Sequence, residues 1–189
     1  MSRAPAGTRV LGVDPGSRST GWGLLGGGPT TPRLIEHGVV RLDPRLGLAR
    51  RLAHLHHELE RIVRRLRPGC AAVEMPFKGV NARSALQLAH ARGVILAVLA
   101  CAEVEVVEYT PAAVKKAVTG NGRADKKQVA QMVGHLLAQA LPRDTPDDLS
   151  DALAVALCHV GAQRFEAAVE RAKRATPGPG ARPIRRPIR

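Results

Sequence analysis

Four carboxylates are placed where they could do chemistry together. Asp14 closes the apolar run Val10–Val13 and is followed by Pro15-Gly16, and Glu74 closes a second apolar run, Cys70–Val73. A short apolar run bounded by turn residues reads as a buried strand. Both acids therefore stand at strand ends, where a rigid scaffold can aim a side chain at solvent. Asp148 and Asp151 are three positions apart, and on a helix such residues share a face. If the two pairs converge, mutual repulsion raises their pKa values unless a cation neutralises them. A divalent ion with oxygen ligands is the fitting cation. Mg²⁺ takes one or two carboxylates and completes its shell with water and phosphate oxygens. Two such ions about 3.5–4 Å apart can activate a water and stabilise the leaving oxygen in phosphodiester cleavage.

Each acid also has a plainer reading. An aspartate before Pro-Gly often accepts turn N–H groups, and Glu74 could be an exposed strand end. Thr145-Pro146-Asp147-Asp148 fits the capping-box pattern, and both aspartates suit a helix N-terminus. The charge context argues for the joint reading. The 189 residues carry 29 Lys+Arg against 16 Asp+Glu, a formal net charge of +13. Residues 161–189 hold eight basic and two acidic residues, so the remaining 21 and 14 leave the body basic without its tail. A basic body attracts a polyanion, most simply nucleic acid, and an acidic pocket within it calls for metal.

The elements that must position these acids follow from periodicity. Strands are expected at about 8–14, 20–26 and 33–41, joined by tight loops as an antiparallel meander. Leu52, Leu55, Leu59, Ile62, Val63 and Leu66 recur at helical spacing up to Pro68-Gly69. His54, His56 and His57 lie on this helix; three close histidines suggest metal, but a solvated polar face is the default. After the strand ending at Glu74 comes a loop from Met75 to Val80. A helix of about 81–102 follows, with Asn81 as N-cap, and then a strand at 104–108. Thr110-Pro111 starts a short helix. The loop Gly120–Lys127 enters another, and the last begins at Thr145-Pro146 and runs to about Val160 or on to Lys173. The order βββαβαβααα predicts a three-layer α/β domain with a mixed five-stranded sheet flanked by helices. Its expected bounds are 1–162, with 163–189 a helix extension and a basic, Pro/Gly/Arg-rich tail expected to be disordered.

Cys70, Cys101 and Cys158 are far apart in apolar sequence without a CxxC, which predicts buried reduced thiols and no structural zinc. Met1–Thr8 carries no secretory signal, and Val94–Ala102 is too short to span a bilayer. A soluble cytoplasmic protein without membrane association is expected.

At this point the residues resemble a known family, the RuvC Holliday-junction resolvases of the RNase H-like nuclease superfamily. The matching stretches are Gly12–Gly21, Val73-Glu74 with Phe77, Asn81 and Ala85, then Gln87–Gly93, Tyr109–Gly120, Gly122–Gln128 and Asp148–Ala154. They run in family order over roughly residues 8–160. The first motif is shared with actin-like ATPases, but the set is specific. The resemblance implies an RNase H-like fold, a homodimer, and a site in which Asp14, Glu74, Asp148 and Asp151 are catalytic and hold two Mg²⁺ or Mn²⁺ ions. It implies paired cuts in a four-way DNA junction, leaving 5′-phosphate and 3′-hydroxyl ends, in recombination and repair. A branch-migration motor complex is an implied partner. One departure is visible: Met75-Pro76 stands where the family usually has Gln after the glutamate.

Aromatic residues are scarce: Trp22, Tyr109, Phe77 and Phe165. Phe77 sits in a polar loop, where a base could stack on it or the ring could fold onto the core. The resemblance places it at the junction centre. Trp22 is expected to pack in the second strand. Lys115, Lys126 and Lys127 are the phosphate-binding candidates, Lys126 with the added field of a helix N-terminus. The resemblance favours Lys115 and Lys126, while Arg83, Arg92 and Arg123 are further candidates for the DNA track. Three other readings compete. An RNase H-like nuclease acting on structured RNA differs only in substrate. An actin-like ATPase needs two such domains, and no GxxxxGK[ST] loop is present. A non-catalytic nucleic-acid-binding module would keep binding without the acids.

Overall fold

The computed structural model describes residues 9–28, 30–75, 82–138 and 146–175. Three strands open the chain: β1 (Val10–Asp14), β2 (Ser19–Gly28) and β3 (Thr31–Arg41). Then come α1 (Leu48–Leu66), β4 (Cys70–Glu74), α2 (Ala82–Cys101), β5 (Glu105–Tyr109), α3 (Pro111–Thr119), α4 (Lys126–Leu136) and α5 (Asp147–Ala175). This is the expected element order. The sheet order is β3-β2-β1-β4-β5. β1, β2 and β3 form the antiparallel meander, and β4 and β5 add in parallel beside β1.

Strand alternation sends successive side chains to opposite faces, and each face has its own core. Leu11, Val13, Trp22 and Val73 face α1 and α2, meeting Leu55, Leu59, Ile95 and Leu99. Val10, Leu25 and Ala72 face α3, α4 and α5, meeting Val114, Val133, Leu153 and Val155. α1 is amphipathic: Leu55, Leu59, Ile62, Val63 and Leu66 are buried, while Arg50, His54, His56, His57, Arg61, Arg64 and Arg65 line the outside. It ends at Arg67, whose left-handed φ of 47° closes the last turn before Pro68.

α5 is the central helix of the second layer. Leu149 and Ser150 are buried, as is every residue from Ala152 to Val160. Burial stops there, and Gly161–Arg174 continue the same helix with no buried position. A polar network lies inside this layer. Tyr109 Oη is 2.8 Å from His159 Nδ1, and Gln163 Nε2 is 3.0 Å from His159 Nε2. The Gln163 amide donates, so His159 Nε2 accepts and the ring proton sits on Nδ1, given to the Tyr109 hydroxyl. Cys70 Sγ lies 3.4 Å from the same Nε2. Burial pushes the Cys70 thiol up to about 11 and lowers His159, so both are neutral.

Two expectations need correction. Cys70 and Cys158 are buried, but Cys101 is exposed, because it ends α2 where an open groove separates that helix from α1. The apolar part of α2 is also longer than Val94–Ala102. Ser84–Cys101 has mean hydropathy 1.5 over 18 residues, enough by length and composition to cross a membrane, yet only 22% of that stretch is buried. One face of α2 packs through Ala91, Ile95, Val98 and Leu99. The other leaves Leu86, Ala89, Gly93, Ala97 and Ala100 exposed.

Candidate active site

β1 and β4 are parallel neighbours in register from Val10↔Cys70 to Val13↔Val73. Asp14 and Glu74 therefore leave adjacent strands at the same end of the sheet. α5 crosses that end, and glycine is what lets it come so close. A Cβ on Gly21 would lie 1.9 Å from the Asp148 carbonyl oxygen, and one on Gly12 would lie 2.1 Å from that of Ala152. With no side chain at these two positions, the first turns of α5 rest directly on the β1–β2 backbone. Asp148 and Asp151 are thereby carried over the strand ends.

The four acids share one field. Asp14 is pushed up to about 8, by burial first and then by Glu74, Asp151 and Asp148. Glu74 rises to about 7 through burial and Asp151. Burial also raises Asp151, against the opposing pull of Lys126. The cations that act on this field are Lys126, which lowers Asp14 and Glu74, and Lys115, which lowers Glu74. Lys126 Nζ lies 3.2 Å from Asp151 Oδ2 and 3.3 Å from Asp147 Oδ2. Sequence reasoning gave this lysine to phosphate; here its ammonium spans two carboxylates. Burial works against its charge, but Asp151 and Asp147 raise it.

Caps aim the two lysines. Thr110 accepts from the Ala113 N–H at 3.2 Å and starts α3, which carries Lys115. Asp125 and Gln128 form a reciprocal capping box at the start of α4, with bonds of 2.9 and 3.0 Å. The D-x-x-Q spacing announces that cap in the sequence. Lys127 and Arg123 stand exposed beside it. Arg92 is committed elsewhere, to an ion pair with Glu108. Phe77 lies outside the described residues, as do Thr145, Asn81 and the Arg83 side chain.

Sequence reasoning missed two supporting groups. The Ser19 hydroxyl donates a short bond to Asp148 Oδ2 across 129 positions. Arg51 of α1 gives Nη1 to the Ser17 carbonyl at 3.2 Å, holding the turn after Asp14. Neither carries a local signal, because both contacts are tertiary.

An all-oxygen acidic cluster with lysines at its edge, inside a basic protein, is chemically suited to holding divalent metal beside a polyanion. The crossover junction endodeoxyribonuclease RuvC family matches residues 10–159. The chain belongs to the RuvC family. The protein of that name from Sorangium cellulosum is 45% identical over 161 residues, covering 85% of this chain and 89% of its own. That from Halorhodospira halophila is 46% identical over 152 residues, 80% of this chain and 89% of its own. Among solved structures, Thermus thermophilus RuvC in complex with a Holliday junction substrate superposes with a TM-score of 0.78 at 33% identity. It covers 84% of this chain and 96% of that one. The yeast mitochondrial resolvase Ydc2, at 14% identity and TM-score 0.65, shares the fold. The sheet and its two helical layers are thus the RNase H-like fold expected of RuvC. The departure at Met75 does not break the sheet edge, since Met75 N–H still donates to the Tyr109 carbonyl at 2.8 Å.

Proposed function

We propose that this chain resolves four-way DNA junctions by metal-dependent hydrolysis of a backbone phosphodiester, leaving 5′-phosphate and 3′-hydroxyl ends. Its observational support is the convergence of Asp14, Glu74, Asp148 and Asp151 at one sheet edge with too little positive charge beside them. The donor set fits Mg²⁺ or Mn²⁺: carboxylate oxygens only, held half-buried, of the kind such ions take together with water and phosphate oxygens. When bound, two such ions supply an activated water and a stabilised leaving oxygen. The chain's own residues do the rest. Asp14 and Glu74 fix the floor of the site from rigid strands, and Asp151 with Asp148 closes it from α5. Ser19 holds the Asp148 carboxylate in one rotamer. Lys126 is the counter-ion of Asp147 and Asp151, so a divalent cation that neutralises Asp151 loosens its ammonium toward a DNA phosphate. Lys115 lies on the Glu74 side, and Lys127, Arg123 and Arg83 extend the basic track. Phe77 is assigned to base stacking at the junction centre, on the resemblance alone.

Two opposed cuts need two sites, which a two-fold dimer supplies. The exposed small-residue face of α2 (Leu86, Ala89, Gly93, Ala97, Ala100) supports that dimer, because it lets two helices approach closely. Cytoplasmic location and a branch-migration motor as partner complete the proposal. The relatives are DNA nucleases by name, so the structured-RNA reading is not favoured.

The test is incubation of the full chain with a four-way DNA junction, linear duplex and structured RNA, in Mg²⁺ and in Mn²⁺. Cleavage of the junction alone is the expected result, abolished in Asp14→Asn, Glu74→Asn, Asp148→Asn and Asp151→Asn with junction binding retained. Preferred cutting of RNA would overturn the assignment, and an acid variant with wild-type activity would remove that residue from the site.

A further inference from the structure

The histidines of α1 play no part in the acidic site, and two of them converge with a carboxylate. The candidate ligand atoms of His56, His57 and Glu60 all lie within 4.8 Å of one another. Helix geometry explains why. Positions i and i+4, and i+1 and i+4, are surface neighbours one turn apart, so i, i+1 and i+4 form a triangle of adjacent side chains. His56 and His57 are exposed and stand edge to face with ring centroids 5.5 Å apart, while Glu60 is half-buried. His56 and Glu60 also line a groove of about 570 Å³ between α1 and α2, whose wall includes Arg64 and the exposed Cys101.

We infer that His56, His57 and Glu60 form a second metal site, separate from the acidic cluster, which takes a transition ion such as Zn²⁺ rather than Mg²⁺. Two imidazoles and one carboxylate are a common zinc donor set, and imidazole selects Zn²⁺, Cu²⁺ or Ni²⁺ over the hard cations suited to oxygen-only sites. Three protein ligands would leave a fourth position for water. Arg64 pairs with Glu60 Oε1 at 2.8 Å, but that pair is exposed and weak, and Oε2 remains for the ion. The site lies on the α1 layer, whereas Asp148 and Asp151 come from α5 in the opposite layer.

The experiment is a Zn²⁺ titration of the untagged full chain by calorimetry, in excess Mg²⁺ so that the oxygen-only site is occupied. Three variants run in parallel: His56→Gln, His57→Gln and Asp14→Asn. One Zn²⁺ should bind per chain, weakened about tenfold or more in each histidine variant, since even supporting residues of metal sites are worth that much. Asp14→Asn should bind as wild type. Melting curves should show the histidine variants fully folded, as expected of exposed positions. Absence of Zn²⁺ binding at micromolar concentration overturns the inference. So does binding that survives both histidine changes, or that is lost in Asp14→Asn.

Discussion

Replacing Asp14 by Asn should make the metal-free protein more stable while destroying its activity. Asp14 is pushed from 3.8 up to about 8, by burial and by its acidic neighbours. A carboxyl raised in the folded state contributes stability that is complete below its unfolded pKa. That stability is lost as pH rises through the folded value. Between 3.8 and pH 7 the loss reaches about 4 kcal/mol at ~1.4 kcal/mol per pH unit. Solvent screening at a half-buried group leaves about 2–4 kcal/mol. Asn has nearly the same shape and cannot ionise, so the variant escapes this loss. In a chain of this size each kcal/mol moves Tm by roughly 2–4 °C. With EDTA at pH 7, Asp14→Asn should then melt about 5–15 °C above wild type. The gap should shrink toward pH 5 and widen toward pH 8. Mg²⁺ should raise the wild type more than the variant, since an ion that binds only the folded state stabilises it by mass action. Melts followed by Trp22 fluorescence across pH 5–8.5 make the measurement. A variant that melts at or below wild type at pH 7.5, or a gap indifferent to pH, would refute the claim that the acids repel one another in a poorly solvated site.

Ser19→Ala should leave junction binding unchanged and slow cleavage by roughly ten- to a hundredfold, the equivalent of one hydrogen bond to a charged group at about 1.5–3 kcal/mol; single-turnover rates report it, and a normal rate would remove Ser19 from the site. His159 is lowered by burial, so its contribution to stability is full above about 6.5 and lost as pH falls below it. Wild type should lose stability on acidification relative to His159→Ala, although the variant starts about 1–3 kcal/mol lower because the Tyr109 hydroxyl is left unpaired; parallel melting curves in pH 5 and pH 7.5 buffers that track each other would exclude the buried neutral imidazole. Gly93→Arg places a long charged chain on the exposed face of α2, where an added Cβ meets nothing within 4 Å. Sedimentation should then give a folded monomer that binds junctions more weakly; a stable dimer would move the interface elsewhere.

The element order and the two parallel crossovers were legible because each strand is a short apolar run closed by a turn, and each helix has its own stripe or cap. Asp14 and Glu74 were legible for the same reason, since an acid at the end of such a run is a local signal. Asp148 and Asp151 were legible as a helix face, but not the reason they reach the strands. That reason is the absence of side chains at Gly12 and Gly21, which becomes meaningful only once α5 is seen against β1 and β2. Lys126 shows a different gap. Its position at a helix start was readable, whereas its bond to Asp151, 25 positions away, depends on how α4 packs on α5. Cys101 differs from expectation because apolar neighbours in sequence do not show that the end of α2 opens onto a groove.

The division of labour within α5 explains how an acidic cluster of this cost is tolerated. Its first turns carry Asp148 and Asp151, while Ala152 to Val160 are all buried against the sheet. Burying a Leu or Val side chain contributes about 1.5–3 kcal/mol, so Leu149, Leu153 and Val155 together offset a few kcal/mol of repulsion among the carboxylates. The acids thus sit on an element fixed by apolar packing one or two turns away, independent of their own charge. Charge removal at the site should therefore leave the helix where it is. Lys126, Lys127 and Arg123, proposed for the DNA track, stand instead on an exposed first turn and the loop before it, where long side chains can follow a phosphate backbone at little cost to the fold.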